Sequence, residues 1–300
     1  YGDTQDRGDN PHEMGDNLAT VDVGPGKTIK ELVAGGSHTC ARLNDGKTKC
    51  WGLGSAGQLG YGDKNSRGDE PGEMGDKLPN IDLGKCNGKS SSIIQIAAGG
   101  YHTCALLEDG NAKCWGHGYY GQLGYGDQNS RGDEPGEMGD QLLPIILGKY
   151  TTERKLDGSC TTEGKHDDTS SIEGTTTQQI AGSLFVQGNN IGSEIDEMDV
   201  IKPTKPAVEL VAGYYHTCAR RHETGQPVVV KCWGRKGGSE GATNWGDGFG
   251  EMGDNLPNID KAENSVQLVA GGLHTCARFK DQPTTCWGNN ENGQLGDVPH

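Results

Sequence analysis

The run at residues 99–116, G-G-Y-H-T-C-A-L-L-E-D-G-N-A-K-C-W-G, occurs three more times along the chain. The stretches 35–52 and 271–288 are close copies, and 213–234 is a copy lengthened by four residues. Repetition of one short unit predicts a modular architecture built from equivalent elements. The repeat therefore decides the fold, and the other segments are interpreted by their position relative to it.

Each copy of the repeat predicts a β-hairpin. At 99–116, two short segments rich in β-branched, aromatic and aliphatic residues flank Glu108-Asp109-Gly110-Asn111, a turn-forming sequence. Residues placed symmetrically about such a turn face each other across the ladder, at a Cα separation of roughly 4.5–5.5 Å that suits a disulfide. All four copies place their cysteines in this way, which predicts the disulfides Cys40–Cys50, Cys104–Cys114, Cys218–Cys232 and Cys276–Cys286.

The composition favours short strands and turns over helices. The chain has 300 residues, of which 51 are glycine and 31% are hydrophobic, and no long segment carries an apolar stripe at helical spacing. We therefore expect an all-β protein with a thin core divided into small parts. All ten cysteines can pair if Cys86 and Cys160 form a fifth disulfide, which predicts an oxidising, extracellular or cell-surface location. Four reduced, buried cysteine pairs are the alternative.

A long acidic connector follows each hairpin. The connector at 61–84, Y-G-D-K-N-S-R-G-D-E-P-G-E-M-G-D-K-L-P-N-I-D-L-G, is nearly repeated at 125–148, and a third version stands at 1–24. A shortened version at 245–260 has Trp245-Gly246-Asp247, interpreted as the counterpart of Tyr-Gly-Asp in the others. The three full connectors supply most of the formal net charge of −15, which places the acidity on one face or rim. Their ends at 78–83 and 142–147 are predicted to be edge strands.

The units predict a single domain over residues 1–300. One unit is degenerate and lacks the cysteine pair, and an irregular Thr/Ser-rich insertion at 149–183 precedes it. The first and last residues of the sequence fall at the same point of the repeat. This suits a closed ring in which the N-terminal segment 1–34 completes the last unit, and it equally suits a segment of a longer array of repeats. The innermost strands are expected at 31–34, 93–98, 209–212 and 266–270, and the unit centres at Trp51, Trp115, Gln187, Trp233 and Trp287.

The pattern A-A-G-G-x-H-T-C-A-L-L-x-D-G-x-x-K-C-W-G-x-x-x-x-G-Q-L-G at 97–124 resembles the repeat of the regulator of chromosome condensation family. The resemblance covers nearly the whole chain, as four regular units and one degenerate unit. It implies a β-propeller of four-stranded blades, here with five units where family members commonly have seven. The cysteine pairs and the G-E-M-G-D connectors resemble the secreted, disulfide-containing branch of bacteria and microalgae.

Two equivalent sets of acidic residues in the connectors are candidate calcium ligands. Each set offers hard oxygen ligands close together in the chain, among glycines and a proline that permit tight turns. Solvated loops, in which Arg67 pairs locally with a carboxylate, are the alternative. No other cofactor is expected. The two sets are Asp63, Asp69, Glu70, Glu73 and Asp76, and Asp127, Asp133, Glu134, Glu137 and Asp140.

A histidine and a tryptophan accompany each cysteine pair. Each histidine lies two residues before a cysteine, on the same strand face, where we expect a structural hydrogen bond; a zinc site would need free thiols. Each tryptophan follows the second cysteine and points to the opposite face, where we expect packing between adjacent units, with a sugar-stacking platform as the alternative. These residues are His38, His102, His216, His274, Trp51, Trp115, Trp233 and Trp287.

The remaining motifs argue against catalysis. The sequence has no nucleophile with its base, no phosphate loop, no basic patch and no apolar run of membrane-spanning length. A net charge of −15 argues against a nucleic-acid partner. The tripeptide Arg-Gly-Asp occurs three times, each time inside turn sequence, which disfavours an adhesion motif.

We therefore predict a non-enzymatic, extracellular structural or protein-interaction propeller, for example a subunit of a cell-surface or filamentous assembly. Its expected partners are proteins, among them copies of itself, and no membrane insertion is expected. The resemblance to the founding member of the family implies an alternative, a guanine-nucleotide exchange factor for a small GTPase. A third hypothesis is an inhibitor of a secreted enzyme.

Overall fold

The computed structural model describes residues 1–86, 89–147, 152–154, 160–162, 207–222, 226–235 and 244–296. Within these ranges the chain is all-β, with four antiparallel sheets of three strands, two short two-stranded ribbons and four single 3-10 turns. None of the described segments forms a helix with the length and hydropathy that crossing a bilayer requires.

The four sheets are numbered in chain order. Sheet 1 contains β1 to β3, sheet 2 contains β6 to β8, sheet 3 contains β11 to β13, and sheet 4 contains β14 to β16. The strands are β1 (Ile29–Ala34), β2 (His38–Leu43), β3 (Thr48–Gly52), β4 (Lys85–Cys86), β5 (Lys89–Ser90), β6 (Ile93–Ala98), β7 (His102–Leu107), β8 (Ala112–Gly116), β9 (Thr152–Arg154), β10 (Cys160–Thr162), β11 (Ala207–Ala212), β12 (His216–His222), β13 (Val229–Gly234), β14 (Gln267–Ala270), β15 (His274–Arg278) and β16 (Thr285–Gly288).

The second and third strands of every sheet are joined by a disulfide. Cys104 lies directly opposite Cys114 in the ladder of β7 and β8, and the other three pairs have the same register. The Cα atoms of the four pairs are 4.0–4.1 Å apart. Closing a loop of this size stabilises a fold by roughly 2.5–3 kcal/mol. The side chains of Cys86 and Cys160 lie outside the described residues, so their disulfide stays a prediction.

The sheets stand next to one another in the order 1, 2, 3, 4, with their first strands β1, β6, β11 and β14 adjacent. Sheets 2 and 3 are direct neighbours although a long stretch of chain separates them. The Gln95 side chain donates to the carbonyl of Leu210 (2.9 Å) and accepts from its N–H (3.0 Å). The unit predicted around Gln187 and the insertion at 149–183 lie outside the described residues, apart from short β-strands at 152–154 and 160–162.

Each sheet has three strands, and in sheets 1, 2 and 3 a single bridge stands beside the third strand where a fourth strand is expected. These bridges join Gly52 to Arg67, Gly116 to Arg131 and Gly234 to Trp245. The prediction of edge strands at 78–83 and 142–147 was wrong, because these segments form no ladder. Each contains a proline, which cannot donate to a ladder, and each makes one main-chain hydrogen bond to a hairpin, from Ile81 to Thr48 or from Ile145 to Ala112.

The core lies between the sheets, in small clusters. The Cys40–Cys50 disulfide of sheet 1 packs with Ile96 and Trp115 of sheet 2, and equivalent clusters join sheets 2 and 3 and sheets 3 and 4. A fourth cluster covers the other side of sheet 1 with Val23 of the first connector. The described contacts of the N-terminal segment are with sheet 1 and with the connector at 61–84, so completion of a last unit by residues 1–34 stays a prediction.

Candidate functional site

A histidine and a threonine form a hydrogen bond across each of the three described sheet interfaces. Nε2 of His102 in sheet 2 lies 2.9 Å from Oγ1 of Thr217 in sheet 3. The Thr217 hydroxyl donates in turn to the carbonyl of Gln122, 3.0 Å away. Because the hydroxyl proton is used there, the threonine oxygen accepts from Nε2–H, which assigns that tautomer to the ring. The equivalent pairs are His38–Thr103 at 2.8 Å and His216–Thr275 at 2.7 Å.

These histidines are neutral. Burial lowers the pKa of His102 to about 3 and the pKa values of His38 and His216 to about 4, because an apolar environment penalises the charged imidazolium. The cysteines beside them are in disulfides, which removes the thiolates that a zinc site would need. A neutral ring that donates its one proton to the next sheet holds the sheets together.

The tryptophans of the middle sheets are buried in the same interfaces. Nε1 of Trp115 donates to the carbonyl of Gln58 at 3.0 Å, and Nε1 of Trp233 donates to that of Gln122 at the same distance. Each glutamine belongs to the G-Q-L-G loop that follows the hairpin of the preceding sheet. Trp51 and Trp287, at the two ends of the row of sheets, are only partly buried.

The glutamate of each E-M-G-D sequence closes a loop within its connector. Oε2 of Glu137 accepts hydrogen bonds from the N–H groups of Gly132, Asp133 and Glu134 at 2.9–3.1 Å. In the other three connectors, Oε2 of the equivalent glutamate accepts from backbone N–H groups in the same way. These glutamates are Glu13, Glu73 and Glu251.

Other predicted calcium ligands also bind groups of the protein. Asp63 pairs with Arg67 and Asp127 with Arg131, both at 2.7 Å, and Asp133 pairs with Lys64 of the neighbouring connector at 3.1 Å. Oδ1 of Asp140 accepts from the N–H of Lys85 at 2.7 Å. In the part of the chain that the structure describes, no three acidic, histidine or cysteine side chains converge as a metal group. Calcium binding stays a prediction; the remaining candidates, Asp69, Glu70, Asp76 and Glu134, are exposed.

The fourth connector is aligned differently from the sequence-based interpretation. Trp245 makes the bridge to Gly234 that Arg131 makes to Gly116, so Trp245-Gly246-Asp247 corresponds to Arg-Gly-Asp and not to Tyr-Gly-Asp. The physical reason is the loop closed by Glu251, which bonds to the N–H of Gly246 as the other glutamates bond to the glycine of Arg-Gly-Asp. The Trp245 side chain packs against the cluster between sheets 2 and 3.

Buried lysines attach the connectors to the hairpins, a role that the sequence analysis missed. Nζ of Lys113 donates to the carbonyls of Leu83 (2.7 Å) and Gly139 (3.3 Å). Lys49 and Lys231 bind main-chain carbonyls in the same way. The sequence feature that could have predicted this role is the repeated K-C-W, because its lysine recurs in three of the four hairpins.

A surface cluster of tyrosines was also missed. It forms where loops of sheets 2 and 3 meet, and we call it the tyrosine cluster. Ring centroids are 4.6 Å apart for Tyr214 and Tyr215 and 4.8 Å apart for Tyr120 and Tyr215. The guanidinium of Arg235 lies 5.3 Å from the centroid of Tyr120. Tyr119, at the edge of the cluster, is 59% exposed. The cluster consists of Tyr101, Tyr119, Tyr120, Tyr214 and Tyr215.

Comparison with known proteins identifies the repeat. One model of the regulator of chromosome condensation (RCC1) repeat matches residues 29–58 and 93–122, and a second model of that repeat matches residues 45–106. These matches contain the hairpins of sheets 1 and 2 and extend into the G-Q-L-G loops that follow them.

Similar proteins are found among plants and animals. The Ultraviolet-B receptor UVR8 of Arabidopsis thaliana is 28% identical over 282 residues, which is 90% of this chain and 55% of UVR8. The mitochondrial RCC1 domain-containing protein RUG3 of Arabidopsis thaliana is 40% identical over 96 residues, 32% of this chain and 19% of RUG3. The chain thus spans about half the length, or less, of these curated relatives.

The crystal structure of human WBSCR16 shares the fold. Its TM-score is 0.51 at 16% sequence identity, and the alignment covers 90% of this chain and 50% of that one. The repeated hairpins, their side-by-side packing and the repeat models agree, and the chain therefore carries, at residues 29–122, repeats of the regulator of chromosome condensation family.

Proposed function

We propose that the chain is a non-enzymatic, extracellular propeller that acts as a structural or protein-interaction module. The observation that carries this proposal is the position of the disulfides, which are part of the packing between sheets. Cys40, Cys50, Cys104, Cys114 and Cys218 are each fully buried. Because the thin core contains these bridges, an oxidising compartment is the environment in which the fold is most stable.

The test is peptide mapping of the native protein under non-reducing conditions, after alkylation of any free thiols. We expect the four hairpin disulfides and no alkylated cysteine among their eight residues. Free thiols at these positions in native material would contradict an extracellular module. Recombinant protein refolded with oxidant serves as the positive control for the mapping.

The tyrosine cluster supports a role in protein binding. Tyrosine and arginine are enriched at the energetically dominant positions of protein interfaces. The tyrosine ring buries apolar area at low entropic cost, and the planar guanidinium of arginine stacks on aromatic rings. We propose the cluster as the contact surface for a protein partner. Substitution of Tyr119 and Tyr215 by alanine should reduce partner recovery in pull-downs from the native medium by about tenfold or more. Leu143→Ala, on a connector, is the control.

The same pull-down separates the alternatives. A structural subunit should recover mainly copies of itself, whereas an inhibitor should recover one secreted enzyme. Guanine-nucleotide exchange predicts faster release of bound nucleotide from a small GTPase when the protein is added. Recovery of one secreted enzyme, or faster nucleotide release from a small GTPase, would contradict the structural role proposed here.

A further inference from the structure

We propose that the tyrosine cluster binds an acidic segment of a partner protein, and that Arg235 binds an aspartate or glutamate carboxylate of that segment. Three features of the surface support this assignment: an arginine that stacks on tyrosine without a carboxylate partner, a second side-chain donor beside it, and surrounding loops without acidic residues. Because it names the chemistry of the partner at the tyrosine cluster, this assignment rests on the proposed function.

The connectors repeat one arrangement of arginine, tyrosine and aspartate. The guanidinium of Arg131 lies 4.1 Å from the ring centroid of Tyr125, and its two terminal nitrogens donate to the carboxylate of Asp127 at 2.7 and 3.0 Å. A guanidinium can make both contacts, because its face stacks on a ring while its edge donates to a carboxylate. The equivalent groups in the other two full connectors are Arg67, Tyr61 and Asp63, and Arg7, Tyr1 and Asp3.

Arg235 repeats only the stacking half of this arrangement. Its guanidinium lies 5.3 Å from the ring centroid of Tyr120 and 5.8 Å from that of Tyr215. The corresponding distance of Arg67 in its connector is 5.4 Å. Arg235 is exposed, and within the ranges that the structure describes it forms no ion pair. The carboxylate that completes the arrangement in the connectors can therefore come from a partner.

His117 places a second donor beside the same ring. Oε1 of Gln122 accepts from the N–H of Tyr120 at 2.9 Å, which directs the amide Nε2 of Gln122 towards Nδ1 of His117, 3.0 Å away. Because Nδ1 accepts this hydrogen bond, the imidazole carries its proton on Nε2. The ring centroid of His117 is 6.1 Å from that of Tyr120. The tyrosine cluster thus offers a second N–H to the acidic segment.

The two donors occupy equivalent positions in sheets 2 and 3. Each follows the glycine that ends the third strand, and each donates its backbone N–H to the residue before the strand histidine, His117 to Tyr101 and Arg235 to Tyr215. Sheets 1 and 4 carry Leu53 and Asn289 at this position. A carboxylate is therefore recognised best where sheets 2 and 3 meet, which is where the tyrosines lie.

The loops around the tyrosine cluster also favour an acidic segment. The chain has 42 aspartates and glutamates and a formal net charge of −15. None of these acidic residues lies in the loops 35–37, 53–58, 99–101, 117–122 and 213–215. Backbone hydrogen bonds join the turns between the first and second strands of sheets 1, 2 and 3, so these loops are neighbours. A carboxylate at Arg235 meets no like charge in them, whereas the acidic connectors would repel it.

The experiment titrates the full chain with two blocked peptides, one of alternating glycine and glutamate and one with glutamine in place of glutamate. Binding is followed by NMR of the arginine side-chain Nε–H resonances. We expect the glutamate peptide to shift the Arg235 resonance at millimolar concentration, and the glutamine peptide to bind at least about tenfold more weakly, because it lacks the charged acceptor.

Two variants assign the binding to Arg235. Arg235→Gln should weaken binding of the glutamate peptide at least about tenfold, and its urea unfolding should match the wild type because the side chain is exposed. Arg278→Gln is the matched control. It removes the same charge from an exposed arginine of sheet 4 that bonds to Gln267 at 3.0 Å, and it should bind the peptide within about twofold of the wild type.

The inference is overturned if the two peptides bind equally, if neither binds, or if Arg235→Gln binds the glutamate peptide as the wild type does. Self-association of the wild type in analytical ultracentrifugation, abolished by Arg235→Gln, would assign the carboxylate to a second copy and so also contradict it.

Failure of this inference is distinguishable from failure of the proposed function. If neither peptide binds, but the alanine substitutions of Tyr119 and Tyr215 reduce partner recovery and the four hairpin disulfides are present, only carboxylate recognition is refuted. Free thiols in native material refute the extracellular module instead.

Discussion

Nε2 of His102 lies 2.9 Å from Oγ1 of Thr217, a residue of the neighbouring sheet that is 115 positions further along the chain. The threonine hydroxyl also donates to the carbonyl of Gln122 in the loop that follows sheet 2. One buried hydroxyl thus joins the middle strands of two sheets to the loop that packs between them. Because the chain has few large apolar residues, such polar contacts between sheets carry much of the specificity of the fold.

Replacement of Thr217 by valine should destabilise the protein by about 1–3 kcal/mol, because the isosteric side chain leaves the buried Nε2–H of His102 without its acceptor and removes one of the two donors to the Gln122 carbonyl. The matched control is Thr39→Val in sheet 1, which no sheet precedes among the described residues; it should cost less than about 0.5 kcal/mol. Urea unfolding with disulfides intact measures both. Equal effects of the two variants would contradict the assigned role of the threonine.

Stability should fall as the pH is lowered through the histidine range. The pKa values of His38 and His216 are lowered to about 4 by burial and that of His102 to about 3, from an ordinary value of 6.5. The unfolded chain therefore binds more protons below pH 6.5, so the stabilisation is fully present above that pH and is lost as the pH falls towards these folded-state values. Each histidine contributes at most about 1.4 kcal/mol per pH unit in this window.

The measurement is the free energy of unfolding from denaturant titrations at about pH 7 and about pH 5, above the range in which ordinary carboxylates titrate. His102→Gln should show a shallower dependence than the wild type, since it removes one of the three buried rings. A wild-type free energy of unfolding that is constant over this range would mean that the rings titrate normally in the folded state.

Local patterns of the sequence predict much of each sheet but little of how the sheets are ordered. The opposition of Cys104 and Cys114 follows from symmetry about Asp109, because hairpin register is set by the turn. The adjacency of Gln95 and Leu210 could not be predicted, since it depends on which sheets become neighbours across the irregular stretch between them. The tyrosine cluster was missed because only two of the four hairpins carry tyrosine before the histidine, at Tyr101 and Tyr215.

Substitution of Glu137 by glutamine should loosen its connector. The carboxylate accepts from three backbone N–H groups, and a neutral amide is a weaker acceptor, so amide exchange at residues 132–134 should become at least about tenfold faster. Hydrogen exchange with mass spectrometry measures this rate. Glu134→Gln, at an exposed side chain in the same loop, is the control and should leave the rate within about twofold. If both variants exchange alike, the loop is held by other contacts.

The Cys276–Cys286 disulfide should be the first of the four to be reduced. Its cysteines are partly exposed, whereas those of Cys40–Cys50 are fully buried, and reduction requires access of a thiolate to sulfur. Mild dithiothreitol followed by alkylation and mass mapping should modify Cys276 and Cys286 before the other three pairs. Earlier modification of Cys40 and Cys50 would show that sheet 1 opens more readily than its packing indicates.

The most direct test of the account is a double-mutant cycle across the interface of sheets 2 and 3, with His102→Phe and Thr217→Val measured singly and together. The account predicts a coupling free energy of about 1 kcal/mol or more, because the two side chains form one buried hydrogen bond. Additive effects, within about 0.5 kcal/mol, would contradict direct packing of sheet 3 against sheet 2.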